Sequence, residues 1–280
     1  RHFLSVGHQG APKRRGNSAK PVILMEAQFS QAGCGSMLYS ATPETGVLHT
    51  SNHVEKLIAI TVENAASFLV QPPAMLLAAG RGERMRPLTD VTPKPLLKVQ
   101  GVPLLQLHLQ ALLAAGVSQA VINTGWLGAQ IPAYFGDEFV PQPDGGASAK
   151  LSLAYSEEPE KAFETAGGIS RALPQLDQVF WLAAGDVYAP DFSFALQDAQ
   201  AFAQSDELAH LWLVPNPAHN PRGDFGLSED GKALDLPADD ERPRYTYSTI
   251  ALLKAELFAS PWFDVQPGNP EGLRAPLAPL

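Results

Sequence analysis

At 280 residues, with 45% hydrophobic and 18% charged side chains, the chain is long enough to bury the core of one large α/β domain, and its 25 prolines and 23 glycines signal many loops. A formal net charge of -9 excludes a general nucleic-acid binder, because phosphate backbones are gripped by surplus Lys and Arg. The lone cysteine, Cys34, excludes an internal disulfide framework and fits a reducing cytoplasm; the most apolar early stretch, 57–70, contains Glu63 and Asn64 and falls short of the roughly 20 apolar residues a membrane helix needs.

Residues 1–72 show neither a helical nor an alternating period. Their start carries Arg1, Lys13, Arg14, Arg15 and Lys20 before any acid, so the stretch reads as a flexible basic extension or a mis-set start, with an organelle transit peptide as the alternative. The expected domain runs over 73–280. It opens with Ala74-Met75-Leu76-Leu77-Ala78-Ala79, a short apolar run closed by Gly80, as in a buried parallel strand. A helix is predicted over 103–115, with Pro103 in its first turn, core leucines at 104, 105, 107, 109, 112 and 113, and Gly116 at the C-cap. Strands are predicted at 120–123, 151–155 and 179–184, and helices at 127–135 and 168–173. This alternation implies an α/β, Rossmann-like fold: a mostly parallel sheet flanked by helices, with ligands beyond the carboxyl ends of its strands. Gly80 and Asp186 both fall at such ends and are expected to meet in space.

Two segments carry chemistry. In the first, Gly80-Arg81-Gly82-Glu83-Arg84-Met85-Arg86-Pro87-Leu88-Thr89 is followed by Pro93-Lys94-Pro95. Glycines directly after a strand let backbone N–H groups approach a polyphosphate, and the nearby cations neutralise it. The third glycine of a dinucleotide fingerprint is missing and there is no Gly-Lys-Ser/Thr ending, so neither a Rossmann dinucleotide site nor a P-loop fits. In the second segment, the run 179–184 delivers Asp186 after Gly185; by itself Gly-Asp after an apolar strand is also what a plain turn looks like. Trp126 is read as packing, with stacking on a ligand as the alternative. The histidines show no metal-ligand spacing, and no Ser or Cys with His forms a convincing nucleophile and base.

These residues resemble the sugar-1-phosphate nucleotidyltransferases, whose signature is a strand ending in small residues, then Gly-x-Gly-x-Arg-x-x-Pro-Leu-Thr and Pro-Lys-Pro. Gly80, Gly82, Arg84, Pro87, Leu88, Thr89, Pro93, Lys94 and Pro95 match it position by position. The resemblance implies a GT-A-like nucleotidyltransferase fold and transfer of a nucleotidyl group from a nucleoside triphosphate to a sugar 1-phosphate, with release of pyrophosphate. It assigns the catalytic roles to Arg84, on the pyrophosphate side, to Lys94, between the α-phosphate and the incoming phosphate, and to Asp186, as ligand of Mg²⁺. Nucleotide contacts are expected from Ala78, Ala79, Gly80 and Gly82 and from Glu164 and Gly167. Sugar contacts are expected from Asp224, Gly226, Glu241 and Thr249, a simple turn being the alternative at Asp224 and Gly226. Within the family the wording is most similar to the bacterial N-acetylmuramate-1-phosphate uridylyltransferases of cell-wall recycling, so UTP and N-acetylmuramate 1-phosphate are the favoured substrates. Mannose-1-phosphate guanylyltransferases and glucose-1-phosphate thymidylyl- or uridylyltransferases share the first motifs. The alternative of another class is a non-catalytic nucleotide- or sugar-phosphate-binding protein. A cytoplasmic monomer or small homo-oligomer is expected.

Relatives take a second metal-binding Asp from a later Trp-x-Asp-x-Gly-Thr. Here Trp262-Phe263-Asp264-Val265 is followed by Gln266-Pro267 and precedes Ala275, where the preceding helix would begin, so it reads as a decoy. The expectation is a domain incomplete at its C-terminal end that turns over poorly.

Overall fold

The computed structural model describes residues 4–6, 70–140, 149–159 and 163–259. Most of the basic extension and the whole Trp262–Val265 segment therefore lie outside the described residues.

Among the described residues one ten-stranded sheet dominates. Its centre is made of four parallel strands: β2 (Ala74–Leu77, β1 being the short Leu4–Val6), β5 (Gln119–Thr124), β7 (Leu151–Glu157) and β8 (Val179–Ala184). Between β2 and β5 lie the small hairpin strands β3 (Lys98–Val99) and β4 (Val102–Pro103) and the helix α1 (Leu104–Ala114). Met75, Leu76, Val121, Ile122, Phe180, Trp181 and Leu182 are buried, because a central parallel strand has helices over both faces. The predicted strands appear within two residues of their expected bounds.

Helix α1 buries Leu105, Leu109 and Leu112, each worth about 1.5–3 kcal/mol of apolar burial. It ends in a Schellman motif: Gly116, at φ +86, donates to the Leu113 carbonyl and Val117 to that of Leu112. Helix α2 (Gln130–Phe135) follows β5, and helix α3 (Glu164–Ala172) follows β7. Both differ from expectation at their starts. Residues 127–129 form turns, with Leu127 at φ +52, and α3 begins four residues earlier than the Gly-Gly pair suggested.

Beyond β8 the alternation stops. Helix α4 (Leu196–Gln204) leads to β9 (Ala209–Val214), which joins the sheet through the long antiparallel strand β12 (Arg244–Lys254). β12 lies between β8 and β9 and also carries the small hairpin of β10 (Phe225–Leu227) and β11 (Ala233–Leu234). The other edge ends in β6 (Glu138–Phe139), antiparallel to β7, and β1 runs parallel to β9. Gln71, before the expected start of the domain, is already buried and bridges Trp181 Nε1 to the Phe194 carbonyl.

Candidate active site

β2, β5 and β8 run parallel, so their carboxyl ends share one rim. Three backbone bonds lock that rim: Gly185 N–H to the Leu77 carbonyl at 2.9 Å, Trp126 N–H to Ala79 at 3.2 Å, and Glu158 N–H to Thr124 at 2.7 Å. The chain leaving β2 has no space for side chains on its neighbours. A Cβ at Gly125 would stand 2.8 Å from the Ala79 carbonyl, and one at Gly185 2.8 Å from Leu105.

The glycine loop is built from within. Gly82 sits at φ +65, where a Cβ would be strained and would lie 3.0 Å from Thr89 Cγ2 and 3.1 Å from Lys94 Cβ. The buried Thr89 hydroxyl donates to the Gly82 carbonyl at 3.0 Å. Trp126 braces the outside: its indole N–H donates to the Thr89 carbonyl at 2.8 Å, and the Arg81 guanidinium lies 4.3 Å over its ring. The packing reading of Trp126 thus has a particular object, the glycine loop itself. Gly80 and Arg84 are exposed on this loop, Arg84 in a 3-10 turn over Glu83–Met85, while Arg86 is paired with Asp90 at 2.8 Å.

Lys94 and Asp186, 92 positions apart in the chain, form an ion pair at 2.7 Å, each about a quarter exposed. Lys94, whose Cβ lies beside Gly82, thus links Asp186 to the glycine loop at Gly82 rather than at the expected Gly80. Beneath it, buried His108 on α1 shares a 2.7 Å hydrogen bond between Nε2 and the Val187 carbonyl. Burial lowers the His108 pKa below 6.5, against the opposing pull of that bond and of Asp186. The neutral ring donating from Nε2 holds the backbone directly after Asp186.

Asn123 and Glu158, to which the sequence assigned no role in the site, tie the start of the loop to α3. Asn123 Oδ1 accepts from the Ala78 N–H at 2.5 Å, and Asn123 Nδ2 donates to Glu158 Oε1 at 2.7 Å. Glu158 Oε2 accepts from the Phe163 N–H at 3.0 Å, at the entry to α3. Burial raises the Glu158 pKa, opposed by the bonds from Phe163 and Asn123 and by Arg171. A Cβ on Gly168 would collide with Glu158 Oε1, so Gly168 serves this contact. The signal available in sequence was small: a polar residue closing the otherwise apolar run of β5. Ala78 is tied by this network to the entry of α3, and Glu164 is exposed at φ +63.

The residues expected at the sugar are less uniform. The two Asp224 oxygens accept from Asn220 Nδ2 at 3.0 Å and from the Tyr247 N–H at 2.7 Å, tying the β10 hairpin to β12. Gly226 is occupied by Leu236, into which a Cβ would run. Glu241 is exposed between Asp240 and Arg242, which pair at 2.7 Å; hydrogen bonds from Arg242 hold the Asp240 carboxyl down at about 2. Thr249 precedes the Ile250–Ala183 register pair and so stands at the Asp186 end of β8. It has φ +68, rare for a β-branched residue, and its buried hydroxyl has no hydrogen-bond partner among the described residues.

Residues 73–249 match the nucleotidyl transferase family profile. The chain belongs to that family. This nucleotidyltransferase is 47% identical, over 187 residues, to the N-acetylmuramate alpha-1-phosphate uridylyltransferase of Neisseria meningitidis serogroup B, covering 66% of this chain and 76% of the relative. It is 32% identical over 192 residues to the protein of the same name from Caulobacter vibrioides, with the same coverages. Its fold resembles that of a UDP-glucose pyrophosphorylase complexed with UDP-glucose, at TM-score 0.51 and 18% identity over 67% of this chain and 77% of the other. A UTP-bound UGPase from Acinetobacter baumannii gives TM-score 0.52 at 17% identity, over 66% and 75%.

The family commonly uses a divalent metal. Among the described residues no group of three or more His, Cys, Asp or Glu side chains could cage one. The lone carboxylate of Asp186 suits an ion held chiefly by substrate phosphates, which is how Mg²⁺ is usually bound. Among the described residues no helix is long and apolar enough to cross a membrane.

Proposed function

We propose that this nucleotidyltransferase transfers the uridylyl group of UTP to N-acetylmuramate 1-phosphate, releasing pyrophosphate and forming a nucleotide sugar for cell-wall recycling. The 47% identity to the Neisseria relative carries the choice of substrates. A phosphate oxygen of the sugar attacks the α-phosphorus, a new P–O–P link forms, and the bond to the β-phosphate breaks. The attacking oxygen is already anionic near neutral pH, so no general base is needed; the barrier is repulsion between anions.

Ala78 to Gly82 receive the triphosphate along the loop, and Arg84 neutralises the departing pyrophosphate. Lys94 stands against Gly82 on one side and Asp186 on the other, within reach of both phosphates that must meet. Asp186, together with phosphate oxygens, would hold Mg²⁺, which when bound offsets charge on the triphosphate. Glu164 and Gly167 face the base, and Thr249 offers its unpartnered hydroxyl to the sugar side. A cytoplasmic setting follows from the need for a nucleoside triphosphate.

Pyrophosphate release is to be measured for UTP, dTTP, GTP and CTP against N-acetylmuramate, glucose and mannose 1-phosphates. The expected best pair is UTP with N-acetylmuramate 1-phosphate. Preference for GTP with mannose 1-phosphate, or dTTP with glucose 1-phosphate, would overturn the substrate reading.

A further inference from the structure

The buried chain of hydrogen bonds from Ala78 through Asn123 and Glu158 to Phe163 has a direction. It is anchored at both ends by backbone N–H groups, which can only donate. Asn123 must therefore turn its carbonyl to Ala78, which leaves its NH₂ facing residue 158. Residue 158 must then accept twice, from Asn123 and from Phe163. Among side chains of this shape, only a carboxylate does so.

Burying that carboxylate is costly, and an apolar pair would pack the same space more cheaply. Its contacts instead run to the two segments that flank the site. One is Ala78, where the chain leaves β2 for the glycine loop; the other is the start of α3, over which Gly168 is kept bare so that the carboxylate fits.

We propose that Glu158 is a positioning residue for the nucleotide: as an acceptor-only group it sets the direction of the Asn123 amide, and so fixes the Ala78 backbone and the α3 entry against each other. The inference rests on the reading that Ala78–Gly82 and the start of α3 receive the triphosphate. Glu158 itself touches no reacting atom.

In Glu158→Gln the shape is kept, but any arrangement of the two amides leaves one donor facing another, at Phe163, between the side chains, or at Ala78. With one such mismatch at a buried site, KM for the triphosphate should rise about tenfold, with KM for the sugar 1-phosphate changed by less than about twofold. The double variant Glu158→Gln/Asn123→Asp reverses the polarity of the middle link and satisfies every donor again: the amide at position 158 accepts from Phe163 and donates to the new carboxylate at position 123, whose other oxygen accepts from Ala78. It should return the triphosphate KM to within about threefold of the wild type.

Steady-state kinetics with UTP, or with whichever triphosphate the wild type turns over, are measured beside thermal melts and beside Arg84→Ala. If Arg84→Ala raises the triphosphate KM while Glu158→Gln only lowers Tm, Glu158 is structural and this inference fails alone. If neither variant moves that KM, the loop is not the nucleotide side and the underlying reading fails with it. Should Glu158→Gln not fold, the double variant decides: folded with a near-wild-type triphosphate KM supports the direction argument, and folded with a KM raised tenfold or more overturns it.

Discussion

The two proposed sides of the site, for nucleotide and for sugar, are built differently. On the proposed nucleotide side, residues 74–94 form a contiguous strand, loop and turn whose cations include Arg84 and Lys94, and whose backbone is held by Thr89, Trp126 and Asn123. On the other side, residues 216–249 place Asp224, Gly226 and Thr249 on a hairpin and an antiparallel strand, and many of their polar groups bond to one another. Asn216, Asn220, Asp224 and Thr246 form one such network. Phosphate recognition needs N–H groups and positive charge along a short stretch of backbone, so it can be written in one motif. Recognition of a sugar needs hydroxyl partners gathered from distant strands, and in the region proposed for it many polar groups hold the hairpin in place.

The largest test of this contrast is Lys94→Ala. Removing the cation that adjoins both Gly82 and Asp186 should lower kcat by about 10²–10³-fold, while costing little stability, because a partly exposed ion pair contributes only about 0–1 kcal/mol. Single-turnover pyrophosphate release and a thermal melt together check it; near-normal turnover would remove Lys94 from the chemistry. Next in size, Gly82→Ala forces a side chain into φ +65 beside Thr89 and Lys94. It should cost about 1–2 kcal/mol and raise KM for the triphosphate without changing that for the sugar 1-phosphate. Equal changes in both would dissolve the division between the two sides.

Thr249→Gly should behave in the opposite sense. Relief of the strained φ +68 stabilises the protein by about 1 kcal/mol, while loss of the buried hydroxyl raises KM for the sugar 1-phosphate alone. A stabilised variant with unchanged sugar kinetics would leave Thr249 a strained scaffold residue. The smallest effect is that of pH on His108. Its folded pKa lies below 6.5, so its contribution to stability is present above pH 6.5 and is lost as pH falls through the folded value. Wild-type Tm should therefore drop more steeply between pH 7 and pH 5 than that of His108→Gln, which keeps a donor for Val187 without the charge; parallel curves would contradict the assignment.

Legibility follows the same division. The parallel strands were readable because buried central strands are continuous apolar runs, and α1 because Pro103 and Gly116 mark its ends. β12 was not, since its outer half, Arg244–Thr249, mixes Arg, Tyr, Thr and Ser without a regular period, and pairing with β8 and β9 is what makes it a strand. Glu158 was not, because one acidic residue after a strand looks like a solvated turn until Asn123 and Phe163 close on it.

From residue order alone came the family, the parallel core and the Gly80–Lys94 segment with Asp186 at a strand end, because local backbone demands and apolar runs are written contiguously. Only the tertiary structure decided that Lys94 rests on Asp186, that Trp126 and Thr89 brace the loop, and that Asn123 and Glu158 tie Ala78 to α3. The long-range contacts among them join residues 35 to 92 positions apart, and a side chain's partner at that range is set by how the strands stack, which no local pattern records.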